Sequence, residues 1–273
     1  MSETTTSSHT HLRIVPLYKP KKKVALGDLT GEKEPTELFD QSGQNAPPPN
    51  AQLTYNGGVL LPNVQVFTVY WGEAYQTGAL TDLPAKLDQF FDTILQSTLM
   101  DQMTEYNTGP YNFGKGTRTG SIIINEALAV NINDSDIQAK LQTWISSNAA
   151  FPQPTGNTLY FIYIESGIVV TLDGSLSCGS FCGYHNNIGQ NVFYAVMPYP
   201  DCAGCLGESN AFDALTGTST HELCESITDP IPGQGWYDNG NNMEIGDICA
   251  WNFKQLDGYN VQLEWSNNAN QCI

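Results

Sequence analysis

A chain of 273 residues with 40% hydrophobic and 11% aromatic content is long and apolar enough to bury a sizeable core, which argues against disorder throughout. The first 50 residues carry six Lys/Arg and six Asp/Glu, leaving five basic and 22 acidic residues, and so the whole net charge of −17, on residues 51–273. A surface so poor in cations is repelled by phosphate backbones and anionic lipid, so nucleic acid and membrane surfaces are poor partners and cations or basic ligands are better ones.

Residues 1–50 open with a Ser/Thr run, carry KPKKK at 19–23 and finish in APPPN. They are expected to form a low-complexity disordered tail, with His9 and His11 outside any site. The N-terminal residues hold no apolar run of secretory-signal length, and no stretch approaches the roughly 18 apolar residues of a membrane span.

From residue 51 to 273 one acidic α/β or α+β domain is expected, with a mixed central sheet and flanking helices. Val59–Leu61 and then VQVFTVYWG at 64–72 read as strand, the second as a central one. In LPAKLDQFFDTILQSTLM, Leu83, Leu87, Phe90, Phe91, Ile94 and Leu95 recur at helical spacing, with Asp82 and Pro84 near the start. SIIIN at 121–125 reads as a buried strand, and DSDIQAKLQTWISSN from 134 as an amphipathic helix capped by Asp134 or Asp136. TLYFIYIES at 158–166 and NVFYAVMP at 191–198 complete the strands, and no internal repeat is present.

All seven cysteines follow residue 177. Cys178, Cys182, Cys202, Cys205, Cys249 and Cys272 suit three disulfides in an oxidising compartment, whereas C-x3-C followed by C-x2-C could hold a structural zinc in a reducing one. Cys224 sits inside HELCE on the buried side of its helix, away from a helix N-terminus, and makes a poor nucleophile. No G-x-S-x-G elbow exists.

In NAFDALTGTSTHELCESITDP, Phe212, Leu215, Leu223 and Ile227 form an apolar helix face that Pro230 ends. His221 and Glu225, four residues apart, project from one side of that helix, close enough to grip one ion. The arrangement is that of HExxH zinc peptidases, with Glu225 in place of the second histidine and Glu222 in the position of the general base. Glu244, about twenty residues beyond Glu225 in EIGD, is spaced like the third, glutamate ligand of thermolysin-like enzymes. Asp247 is then placed to orient a histidine, and His185, in CGSFCGYH, is expected in a cysteine-braced loop as a further ligand. Zinc is the expected ion. Calcium is an alternative because DNGNNMEIGD is rich in oxygen ligands, and carboxylates also accept manganese or iron.

CGYH at 182–185, Cys202 with Cys205, HELCE at 221–225, Trp236-Tyr237 and EIGDIC at 244–249 occur in the order found in the EXORDIUM/phosphate-induced protein family, which this chain resembles over roughly residues 55–252, most strongly from 178 onward. That family's CGWH, HE-x-x-E and EI-x-D-x-C segments match at His185, His221, Glu222, Glu225, Glu244 and Asp247. A small residue is usual at the position of Cys224, which implies that Cys224 is the unpaired seventh cysteine. The resemblance implies an extracellular protein associated with cell walls and brings no settled activity with it.

The expectation is a metal-dependent hydrolase with a zincin-like fold, most naturally a peptidase acting on a peptide or cell-wall-associated substrate. The competing expectations are a non-enzymatic secreted protein with a structural metal, and a carbohydrate-binding protein using Trp236, Tyr237 and Trp251. The oligomeric state is not legible in the sequence.

Overall fold

Runs dense in β-branched and aromatic residues pair into one mixed six-stranded sheet in the computed structural model of the protein, which describes residues 14–19 and 46–273. Its strands in chain order are β1 (Ile14–Pro16), β2 (Gln65–Trp71), β3 (Thr117–Ile124), β4 (Thr158–Ile164), β5 (Phe181–Ile188) and β6 (Val192–Pro198). Their order in space is β1-β5-β6-β4-β2-β3. The strands β6, β4, β2 and β3 run parallel, β5 is antiparallel to β6, and β1 is antiparallel to β5.

Central parallel strands covered on both faces should read as unbroken apolar runs, and β4 is buried at every position. β3 departs from the expectation of a buried strand. It lies at the sheet edge, its exposure alternates, and Ile123 is 38% exposed. Val59–Leu61 forms no strand; a two-residue strand, Thr54–Tyr55, pairs instead with Trp236–Tyr237.

Three long helices cover the sheet: α1 (Leu83–Ile94), α2 (Asp134–Ser147) and α3 (Ala211–Thr228). On α1, Leu83, Leu87, Phe90, Phe91 and Ile94 point inward as their spacing predicts. The cap of α2 is Asn133, which forms a reciprocal pair with Asp136, rather than either expected aspartate. Asp134 is buried and accepts hydrogen bonds from the Tyr184 and Tyr194 hydroxyls at 2.7 Å each. α1 and α3 lie in one apolar cluster and α2 in the cluster on the opposite face of the sheet.

α3 was expected to bury one face, yet every residue from Ala214 to Thr228 is buried. It lies under the hairpin formed by Phe253–Leu256 and Tyr259–Gln262 and beside the turn at Asp247–Cys249, so no side faces water. Its hydroxyls are satisfied locally: Thr216 donates to the Asn260 carbonyl at 2.8 Å, and Ser219 shares a 2.7 Å hydrogen bond with the Tyr163 hydroxyl. β5 can approach the helix because residue 183 is glycine; a Cβ there would lie 2.7 Å from Thr218 Cγ2.

At the N-terminus one expectation needs correction, whereas the expected three disulfides are present. Part of the supposed N-terminal tail is an ordered edge strand, in which Val15 is 2% exposed, and Trp251 Nε1 donates to the Pro16 carbonyl at 2.8 Å. His9, His11 and residues 20–23 of the basic patch lie outside the described residues. The cysteines pair as Cys178–Cys202, Cys182–Cys205 and Cys249–Cys272, so the C-x3-C and C-x2-C motifs interlock as two disulfides and do not hold a zinc. Cys224 is free and buried. Among the described residues no helix is long and apolar enough to cross a membrane.

Candidate metal centre

Three elements converge on one interior point. α3 brings His221, Glu222 and Glu225, β5 brings His185, and the turn after Trp236–Tyr237 brings Glu244 and Asp247. The alternation of β5 puts His185 on the same face as Gly183, towards α3. His185 therefore sits on a central strand and not, as expected, in a loop. The turn reaches the helix through Gly246, where a Cβ would stand 2.8 Å from the His221 ring and 3.0 Å from Glu225 Oε1. All six side chains are buried, with Asp247 the most exposed at 6%.

Their polar atoms fall in two groups that share Glu225. In the first, Glu225 Oε1 is 2.9 Å from His221 Nε2, which is also 3.9 Å from Asp247 Oδ1. In the second, His185 Nδ1 is 3.1 Å from Glu222 Oε2 and 3.5 Å from Glu225 Oε2. Within each group every pair of ligand-capable atoms lies within 4.8 Å. Glu244 stands at the border of the second group, its Oε1 3.5 Å from His185 Nε2.

The remaining nitrogen of each histidine has a polar partner outside the cluster. His185 Nε2 lies 3.1 Å from the Asp229 carbonyl, and His221 Nδ1 lies 3.2 Å from Gln262 Oε1. The Gln262 amide nitrogen is also near, at 2.9 Å, and donates to the Gly246 carbonyl at 2.9 Å. With a proton on the outer nitrogen, which the Asp229 carbonyl and Gln262 Oε1 can accept, each inner nitrogen would be free to bind a metal, whereas in the metal-free site His185 Nδ1 donates to Glu222 Oε2. Asp247 was expected to orient a histidine. The His221 nitrogen open to that role is bonded by Gln262, while Asp247 Oδ1 faces the cluster and Oδ2 accepts from the Glu244 backbone N–H at 3.1 Å.

The charges are strained without a cation. Burial is the largest influence on His185 and pulls its pKa down, but the adjoining Glu222 and Glu225 outweigh it and hold it at about 10. Burial raises Glu222 to about 7 and Asp229 to about 6. Glu225 is lowered to about 2, because His221 and His185 overcome the opposing effect of burial. Burial together with neighbouring carboxylates pushes Glu244 and Asp247 well above the usual range.

Glu222 Oε1, Glu225 Oε2, both Glu244 oxygens, Asp247 Oδ1 and His221 Nε2 are buried without a hydrogen-bond partner among the described residues. His221 Nε2 approaches Glu225 Oε1 closely but outside hydrogen-bond geometry. Each such group costs about 1–3 kcal/mol. A divalent ion fits the donor set: ligands about 2.1 Å from one tetrahedral ion lie about 3.4 Å apart, inside the 2.9–3.9 Å spacings found here. Histidine with carboxylate suits zinc, manganese or iron.

Calcium fits the DNGNN segment poorly. Asp238 Oδ1 accepts from the backbone N–H groups of Gly240 and Asn241, and Oδ2 from those of Gln52 and the Asn241 side chain, so its carboxylate braces its own turn. Nor do the aromatics form an open platform. Trp236 packs against Tyr55 and Tyr106, Tyr237 is buried, and Trp251 packs against Tyr18 and Phe253.

Three nearby residues escaped the sequence reading: Asp229, Gln262 and Glu264. Asp229 follows α3 and accepts backbone N–H groups from Gly233, Gln234 and Gly235. Glu264 is fully buried with neither oxygen hydrogen-bonded among the described residues, and burial pushes its pKa well up. The segment VQLEW alternates like a half-exposed strand, which concealed the burial of Gln262 and Glu264. Comparison of the chain with known protein families and with curated proteins finds no match.

Proposed function

We propose that the chain is a metalloprotein that uses its buried centre as a metal-dependent hydrolase, with a peptide as the most fitting substrate class. The observation that carries this reading is the set of unpartnered buried atoms on Glu222, Glu225 and His221 of α3 and on Asp247 of the turn that packs against it. His221 Nε2, Glu225 Oε1 and Asp247 Oδ1 would hold the ion, zinc being the first candidate. A bound divalent ion supplies a water of lowered pKa and polarises a carbonyl. Glu222 occupies the base position of HExxE. Its Oε2 is anchored by His185 at 3.1 Å, and its unpartnered Oε1 is available to accept a proton. The resemblance to the EXORDIUM family and an extracellular location are part of the same proposal, and three disulfides suit an oxidising compartment.

A second reading is favoured by closure. Every candidate ligand is at most 6% exposed, and sites without an open position are characteristic of structural metals. In that reading the ion fastens the C-terminal turns to β5 and α3 and no turnover occurs.

The test is metal analysis of untagged protein together with peptide hydrolysis by the wild type and Glu222→Gln. The substitution keeps a ligand oxygen and removes the proton acceptor. Bound metal in both, with activity in the wild type alone, supports the hydrolase. Metal in both with activity in neither replaces it with the structural reading, and metal in neither sinks both.

A further inference from the structure

The centre carries two groups of ligand-capable atoms, one more than the single ion of an HExxE helix needs. We infer that it is a binuclear site, in which two divalent cations are bridged by Glu225. This inference rests on the metalloprotein reading above.

The first ion would take His221 Nε2, Glu225 Oε1 and Asp247 Oδ1, and the second His185 Nδ1, Glu222 Oε2 and Glu225 Oε2. Each set contains one histidine, one private carboxylate and one oxygen of the shared glutamate. A carboxylate that gives one oxygen to each of two ions suits the separation of about 3.5–4 Å found in two-ion hydrolytic sites. The two sets cannot serve a single ion well, because the histidines approach opposite oxygens of Glu225.

The outer hydrogen bonds repeat this division. The Asp229 carbonyl lies 3.1 Å from His185 Nε2 and the Gln262 side-chain amide 2.9–3.2 Å from His221 Nδ1, so each ring is braced from outside and presents its inner nitrogen to a different oxygen of the same carboxylate.

Charge points the same way. Glu222, Glu225, Asp229, Glu244, Asp247 and Glu264 are buried carboxylates at or beside the centre, and a second divalent cation offsets more of that charge than one ion does. The competing occupant of the second position is a proton on His185. As an imidazolium it would donate to Glu222 Oε2 and the Asp229 carbonyl, yet Glu222 Oε1 and Glu225 Oε2 would keep no partner among the described residues. A cation reaches several oxygens at once.

Metal content of the full, untagged chain after saturation with zinc and removal of excess tests the count. Two equivalents per chain are expected, falling to one in His185→Ala and one in His221→Ala. One equivalent in the wild type, unchanged in His185→Ala, overturns the binuclear site and leaves the metalloprotein reading standing. No bound zinc overturns both. Should the variants fail to fold, manganese(II) loaded into the wild type decides by electron paramagnetic resonance. An exchange-coupled pair signal is expected, and the six-line signal of isolated ions at full loading overturns the inference.

Discussion

His221 and Glu225 meet on consecutive turns of α3 with Nε2 and Oε1 2.9 Å apart, although neither side chain has contact with water. A helix surface would let such a pair drift into solvent. Here the turn carrying Gly246 presses against both, and the pair is fixed. Glu225→Gln keeps the shape and removes the charge. It is expected to weaken zinc binding by more than the roughly 10- to 100-fold typical of losing an outer partner, measured by competition with a chromophoric chelator. Wild-type affinity in this variant would exclude Glu225 as a ligand.

Gly246→Ala should damage the centre without removing any ligand. The new Cβ would lie 2.8 Å from the His221 ring, which the helix cannot withdraw, so the turn has to retreat. Overpacking of this kind costs about 1–3 kcal/mol. A lower melting temperature and weaker metal binding are expected together. A change in melting temperature alone would show that the turn does not set the ligand geometry.

Acid should stabilise the metal-free protein and alkali should weaken it. Asp229 is raised to about 6 and Glu222 to about 7 in the fold, above their unfolded values, so their contribution is complete below about pH 4 and is lost as pH rises through those folded values. Asp229 alone contributes on the order of 3 kcal/mol across that window. His185, raised to about 10, has the same sign and loses its contribution between about pH 6.5 and 10. Glu225, lowered to about 2, acts in the opposite sense and only below about pH 4.5. Melting curves of chelated protein from pH 5 to 8 should therefore fall steadily, and added metal should flatten the fall by compensating the carboxylates. A chelated protein that gains stability over that range would contradict the buried acidic cluster.

The thiols should divide cleanly. Cys249–Cys272 closes a loop of 23 residues beside the turn that carries Asp247, and its loss should cost about 3 kcal/mol. The double substitution Cys249→Ser with Cys272→Ser should lower both thermal stability and metal affinity. Titration of the native wild type with a thiol reagent should find no reactive cysteine, and one on denaturation, because Cys224 is buried and burial pushes its pKa well up. Three reactive thiols on denaturation would mean that one of the three bridges is open.

Much of this architecture was legible because periodicity reports which residues share a face. The spacing of Leu87, Phe90, Phe91 and Ile94 located α1, and the apolar run at 158–164 located β4. The i, i+4 relation of His221 and Glu225 likewise placed two candidate ligands on one turn of helix. Periodicity does not report what covers a face. Glu222 and Glu225 read equally well as a solvated surface, and it is β5 over Glu222 and the Gly246–Asp247 turn over Glu225 that make them interior. Gln262 joins His221 across 41 residues, a relation that no local pattern carries. β5 was hidden by its own composition, since Cys182, Gly183, His185 and two asparagines look like loop. Its glycine is required by the close passage of α3.

The edge strand β1 has a consequence for the order in which the chain acquires its shape. Val15 pairs with Gly183, so the first described strand to leave the ribosome waits through more than half of the remaining sequence before its partner exists. Contacts of such long span close late and slowly, because the entropy of the intervening chain must be overcome first. The strand carrying His185 therefore has an open flank during synthesis, and Pro16 and Tyr18 seal it against Trp251 and Gly204 only once the C-terminal third has been made.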